Sequence, residues 1–351
     1  LLPPIGILPS QELRALIAAE RIIGEEVIGE DQIQPASLDL RLGGSAYRVR
    51  ASFLPGPQAT VMDRIETFGM HRFDLGDGAV LEKGCVYIVP LMERLDLPPT
   101  IAGIANPKSS TGRLDVFTRL ITDRATVFDR IAGGYAGPLY IEISPRTFSV
   151  VVRHGTRLNQ LRLQQGEEAE RGIGEGSPLP GDDVAVTVDL AGDGTGPVGY
   201  RARRYADLID LSRIDHYDPG EFWEAVHPDR SGHLILDPGD FYILASKEAV
   251  VVPPDQAAEM RPYDTHVGEF RVHYAGFFDP GFGSAATGGA GSRAVLEIRS
   301  FEVPFALRDG QLVGRLIYER LTKSPDKLYG VGIGSAYQRQ GLTLAKQFRR
   351  R

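Results

Sequence analysis

Cysteine is nearly absent from the 351-residue chain, with Cys85 the only one. A single thiol excludes an intramolecular disulfide framework and any site built on two or three thiolates. Histidine is sparse as well, and the seven residues at 71, 154, 216, 227, 233, 266 and 273 show neither H-x-H nor H-x-x-x-H spacing, which argues against a zinc or cupin-like metal cage. No apolar run approaches the 18 or more residues of a membrane span, and the N-terminal stretch lacks the basic-then-apolar pattern of a signal peptide. The expectation is a soluble, cytoplasmic protein with no membrane partner. Positive charge is also in deficit: 39 Lys and Arg stand against 46 Asp and Glu, a net charge of −7. That is the opposite of a footprint for a nucleic-acid polymer, so any phosphate site must be local.

Glycine and proline, in contrast, are plentiful at 41 and 24 residues, against roughly 12% of an average protein together. Long helical bundles are excluded. The length and the 42% hydrophobic content suit two cores rather than one. Ser10 followed by Leu13, Leu16 and Ile17, with Gly24 beyond, has the cap, period and stop of a short helix. After it the chain reads as short strands bounded by Gly, Pro or Asp, including Ser37 to Leu42, Cys85 to Val89, Leu139 to Ile143 and Phe148 to Val152.

Several segments recur in the same order at a spacing of 150 to 155 residues. Ser37-Leu38-Asp39-Leu40 is echoed by Thr187-Val188-Asp189-Leu190, and Leu81 to Ile88 by Leu236 to Ile243. Leu97-Pro98-Pro99 pairs with Val252-Pro253-Pro254, the strand around Glu142 with that around Glu297, and Val152 to Gly155 with Leu307 to Gly310. The expected architecture is mainly β, a tandem duplication with one domain over 1–170 and a second over 184–351, joined by the Gly- and Glu-rich stretch between Gln165 and Asp183.

The densest polar cluster is Asn106-Pro107-Lys108-Ser109-Ser110-Thr111-Gly112-Arg113. Hydroxyls, two cations and backbone amides near glycine are the groups that satisfy phosphate oxygens, although such a segment standing alone is more often a solvated loop. Glu142 sits in an otherwise apolar strand, where burial raises a carboxyl pKa toward the range useful to a general base. Glu297 repeats it, which favours a structural role as strongly as a catalytic one.

Gln32 to Gly43 with its Ser37-Leu38-Asp39-Leu40-Arg41-Leu42 core, then Lys108-Ser109-Ser110 with Arg113, then Arg130-Ile131 before Gly134-Tyr135-Ala136-Gly137, then Glu142, resemble the dCTP deaminases of the trimeric dUTPase superfamily. Tyr329, Tyr337, Gln338 and Gln340 are similar to that family's C-terminal lid. The resemblance implies a dUTPase-like distorted β-barrel or jelly roll, a homotrimer, and hydrolytic deamination of dCTP to dUTP and ammonia. It implies Glu142 as general base, Ser109 and Arg113 holding the attacking water, and Lys108 and Ser110 on phosphate oxygens. Arg130 reaches the nucleotide, Tyr329, Tyr337 and Gln340 close over it, and Mg²⁺ travels with the triphosphate. Zinc deaminases need a thiolate-rich site that one cysteine cannot build, so metal-free attack is expected.

The pattern is broken in several places. Ala132-Gly133-Gly134 stands where Asp-Pro-Gly follows Arg-Ile in the family, so the sugar-facing Asp is absent or supplied elsewhere. Extra residues between Arg113 and Arg130 leave Arg124 as an alternative to Arg130. Ala336 replaces a lysine, for which Arg339 or Lys346 are substitutes. The second repeat keeps Asp279-Pro280-Gly281-Phe282 and Glu297, yet reads Arg261-Pro262-Tyr263-Asp264 where the first has its hydroxyls. The expectation is therefore a silent second repeat that contributes the lid and an assembly surface. A dUTPase or a bifunctional enzyme on the same fold, and a non-catalytic nucleotide-binding module, are the competing readings. Trp223 is expected to serve packing, and Cys85 to be an inert core residue.

Overall fold

A computed structural model describes residues 5–166, 184–192, 194, 196–262, 270–273, 276–300, 302–330 and 341–350. Most of the expected junction lies outside these residues. The chain is mainly β, as its composition predicted, and the duplication is visible strand by strand. In the first half Ala136–Pro145 lies between Val86–Asp96 and Val116–Thr122; in the second, Ser292–Ser300 lies between Phe241–Val250 and Phe270–His273. Ile101–Pro107 pairs with Arg157–Gln165, and Gln256–Pro262 with Leu312–Arg320. The pair Ala79–Leu81 with Val150–Val152 corresponds to His233–Leu236 with Phe305–Arg308.

Two local expectations need correction. The first helix runs over Ser10–Ala18, but Pro9 holds the N-cap position and the Ser10 hydroxyl bonds Asp326 of the second half instead of capping. A second helix, Val61–Phe68, was not expected, although Thr60 and Asp63 spell its capping box: Asp63 N–H donates to the Thr60 hydroxyl and Thr60 N–H to the Asp63 carboxylate.

Side chains alternate across a strand, so each of the two central strands has a face to cover on either side. On Ser292–Ser300, Ala294, Leu296 and Ile298 fill the second half's own core. The other face of this sheet, with Phe241, Ile243 and Val295, packs into the core of the first half, and Trp223 joins it there. Trp223 meets Phe148 and Phe348 edge to face at 5.5 and 5.9 Å, which confirms the packing role. On Ala136–Pro145, Ile141 and Ile143 fill the first core, whereas Tyr140 belongs to a small cluster with Phe53, Val61, Ile65, Ile88 and Ile121. The first half thus seals with its own helix the face that the second half spends on its neighbour. That asymmetry decides where a site can form.

Candidate active site between the two halves

Strand Ile101–Pro107 runs into the hydroxyl-rich motif, which turns once as Ser109–Gly112. The Thr111 hydroxyl donates to the Leu158 carbonyl at 2.9 Å and ties that turn to the neighbouring strand. Ser109 is exposed, while Ser110, Thr111, Gly112 and Arg113 are buried. Lys108 Nζ donates to Asp39 Oδ1 at 2.5 Å, and Asp39 comes from the strand Leu38–Arg41. Arg113 Nη1 donates to the carbonyl of Thr343 at 2.9 Å, so the C-terminal stretch docks on the motif through this arginine. Asp115 accepts from the Thr147 hydroxyl at 2.5 Å and from Arg299 of the second half.

The carboxylate beside this motif is Glu297. A Cβ added to Gly112 would stand 2.7 Å from its Cδ and 2.8 Å from its Oε1, so glycine is the residue that admits this contact. Glu297 is 5% exposed. Burial pushes its pKa well above the usual carboxylate range, Arg113 opposes the shift and Asp115 adds to it. Asp279, from the Asp-Pro-Gly that only the second repeat retains, is pushed up to about 6 by burial; Arg162 and Lys108 oppose the shift, and Asp39 adds to it. Its Oδ1 is buried with no hydrogen-bond partner among the described residues, an acceptor in want of a donor. The Asp that the first repeat lacks is thus present in the second, within electrostatic reach of Lys108 of the first.

Glu142 does not join this group. It faces Arg119 across the strand pair, and its Oε1 accepts from Arg119 Nε at 3.1 Å and Nη2 at 2.6 Å. The same guanidinium stacks on Phe128, 3.7 Å from the ring centroid, and donates to the Ser52 hydroxyl at 2.7 Å. A planar cation is thus held by a carboxylate and an aromatic ring beside Glu142, whose Oε2 is buried with no hydrogen-bond partner among the described residues. Within one chain Glu142 therefore does not meet Ser109 and Arg113: both repeats carry the strand glutamate, Glu142 pairs with Arg119 on the face toward the helix Val61–Phe68, and Glu297 meets the motif. The second half, expected to contribute the lid and an assembly surface, also brings Glu297 against the motif.

Arg130 is exposed, opposite Ile104 and four residues along that strand from Lys108, roughly 13 Å at 3.3 Å per residue. Arg124, the alternative, is exposed in a turn at φ 61°. The N–H of Tyr329 donates to the Pro280 carbonyl at 2.8 Å and its ring lies 5.5 Å from Phe282, against the turn that carries Asp279. Tyr337 and Gln340 lie outside the described residues, as does Arg339. Lys346 follows the docked Thr343 by three residues, and burial together with Lys108 lowers its pKa. Asp39, Asp115, Arg162 and Arg299 were not singled out by sequence. Only Asp39 carried a signal, its place in the repeated Ser/Thr-x-Asp-Leu segment; the others matter through contacts between halves.

A family model of the 2'-deoxycytidine 5'-triphosphate deaminase N-terminal domain matches residues 4–167, and a model of the C-terminal domain of the same family matches 159–348. Among curated proteins, a dUMP-forming dCTP deaminase from Beutenbergia cavernae is 30% identical over 180 residues, 49% of this chain and 86% of that protein. Another from Halobacterium salinarum is 35% identical over 151 residues, 42% of this chain and 72% of that protein. The crystal structure of 2'-deoxycytidine 5'-triphosphate deaminase from Agrobacterium tumefaciens superposes with a TM-score of 0.83 at 53% identity, covering 91% of this chain and 99% of the other. With both domain models matched in order along a duplicated β chain, the protein belongs to the 2'-deoxycytidine 5'-triphosphate deaminase family in its two-domain form.

Proposed function

We propose that the chain hydrolyses the exocyclic amine of dCTP at the site between its halves, with Glu297 as the general base. The observation that carries this is Glu297 itself, a buried carboxyl of raised pKa held against Gly112 and near Arg113. A base poised nearer neutrality both accepts and returns a proton efficiently. In the reaction the water oxygen bonds to C4 of cytosine while Glu297 takes its proton. The same carboxyl then gives the proton to the departing amine as the C4–N4 bond breaks and ammonia leaves. Ser109 and Arg113 hold the water and steady the charge developing on the ring, a contribution of about 10²- to 10³-fold for a well-aimed donor. Lys108 and Ser110 take phosphate oxygens, with Lys108 exchanging part of its pairing to Asp39 for the triphosphate. Mg²⁺ enters on that triphosphate. Asp279 accepts a sugar hydroxyl, and Tyr329, with Tyr337 and Gln340, belongs to the cover.

Release of dUTP is the first reading. A second, in which the same site goes on to split the α,β-phosphate bond and release dUMP, draws support from Asp279, a carboxylate near Lys108 that the first repeat does not supply, and from the dUMP-forming relatives. Incubating the protein with dCTP and Mg²⁺ while following ammonia and pyrophosphate separately decides between them. Ammonia alone is the result expected for dUTP release. Equal pyrophosphate moves the assignment to dUMP formation, and neither product would overturn the enzyme reading in favour of a binding module.

A further inference from the structure

Arg162 is the largest wholly buried side chain among the described residues, and it lies between the halves. It leaves the strand Arg157–Gln165 of the first half and ends among second-half groups. Its Nη1 donates to the Ala258 carbonyl at 3.2 Å and to Glu319 Oε2 at 2.9 Å, and its Nη2 to the Phe278 carbonyl at 3.4 Å. The guanidinium centre lies 4.0 Å from the centroid of the Phe277 ring, and Nη2 lies 4.0 Å from Asp279 Oδ1. One cation thus grips Phe277, Phe278 and Asp279 in succession, the residues that lead into the turn of the candidate site.

A guanidinium kept fully from water is costly unless its position is worth having. Core packing alone would be served by a methionine or leucine. At 4.0 Å Arg162 is too far to saturate Asp279 Oδ1 with a strong hydrogen bond, and it is close enough to favour the ionised carboxylate. The oxygen is left available, charged and aimed.

We propose that Arg162 is a positioning residue for the deamination, holding the Phe277-Phe278-Asp279 turn and keeping Asp279 an anion that receives the nucleotide from across the interface. The proposal rests on the reading of Asp279 as a substrate-binding group. The charged groups facing Asp279 are Arg162 and Lys108 on the cationic side and Asp39 on the anionic side, with the Ala36 backbone also favouring the ionised form; Glu319 lies behind Arg162. Losing Arg162 therefore leaves Asp279 with one cation fewer and raises its pKa, so protonation reaches further toward neutral pH.

Four full-length proteins test this by steady-state dCTP kinetics across pH: the parent, Asp279→Asn, Arg162→Met and Arg162→Lys. Asp279→Asn is expected to raise KM by about 10- to 100-fold, the scale of a lost charge-assisted hydrogen bond. Arg162→Met should raise KM by a similar factor with a smaller loss of kcat, and should move the acid limb of kcat/KM to higher pH. Arg162→Lys, which keeps the charge and loses the stacked fork, should return the acid limb toward the parent while recovering KM only in part. Combining Arg162→Met with Asp279→Asn should cost little more than Asp279→Asn alone. If Asp279→Asn leaves KM unchanged, the reading of Asp279 fails. If Asp279→Asn raises KM but both Arg162 variants keep the parent's KM and pH profile, with only a lowered melting temperature, the Arg162 proposal is overturned and the residue is structural.

Discussion

Replacing Glu297 by glutamine should lower kcat for dCTP by about 10²- to 10⁴-fold, the usual scale for removing a general base, and leave the fold intact. The variant keeps the size and one acceptor of the side chain and loses only the ability to carry a proton. Its stability should move the other way. Glu297 has a folded pKa well above the ordinary carboxyl value, so the folded state holds a proton that the unfolded state releases. The associated stability is full below the unfolded pKa and is lost as pH rises toward the folded one. The substituted amide does not titrate, so the variant should gain on the parent between acid and neutral pH, read as a difference in denaturation midpoints at pH 4 and pH 7. Glu142→Gln should give the opposite pair of results. Activity should stay near the parental level, because Glu142 is engaged by Arg119, and stability should fall by about 1 to 3 kcal/mol as a partly exposed arginine loses its charged, buried partner. A Glu142→Gln variant as inactive as Glu297→Gln would contradict the assignment.

The second large effect is steric. Gly112 approaches the Glu297 carboxyl so closely that an added Cβ would stand 2.7 Å from Cδ. Gly112→Ala should therefore expel the carboxyl from its position beside the motif, costing about 1 to 3 kcal/mol as overpacking does in a filled interior. The activity loss should approach that of Glu297→Gln, since a displacement of about 1 Å at a reacting group is worth on the order of 10²-fold. No such loss is expected at Gly84 or Gly155, where an added Cβ meets nothing within 4 Å. Alanine at these two positive-φ turns controls for loss of glycine as such, and activity unaffected at Gly112 as well would remove the contact from the mechanism.

The sequence showed the two-fold repeat and the polar motif because both are local: the periodic strands, the Asp-Pro-Gly and the Lys-Ser-Ser-x-x-Arg run are contiguous. It could not separate the two carboxylates because Glu142 and Glu297 sit in near-identical apolar strands, and nothing within five residues of either says what covers the strand's other face. The covering groups come from afar: the helix Val61–Phe68 and Phe128 for one, Gly112 for the other. Under the proposed composite site, Ala132 standing where Asp is expected and Asp279-Pro280-Gly281 surviving beside a second repeat without hydroxyls are complementary. Arg119 and Arg162 could not be distinguished from other arginines by composition, since one meets Glu142 and Phe128 and the other the Phe277-Phe278 segment only through contacts made in three dimensions.

The most direct test of the composite site mixes two inactive chains. Ser109→Ala disables the motif of the first half, and Glu297→Gln disables the carboxylate of the second. When the two variants are co-expressed or refolded together and assayed for ammonia release from dCTP, the account predicts no recovery, because the motif and Glu297 that meet belong to one chain. Substantial recovery of activity in the mixture would show that Ser109 works with a carboxylate from another chain and would contradict it.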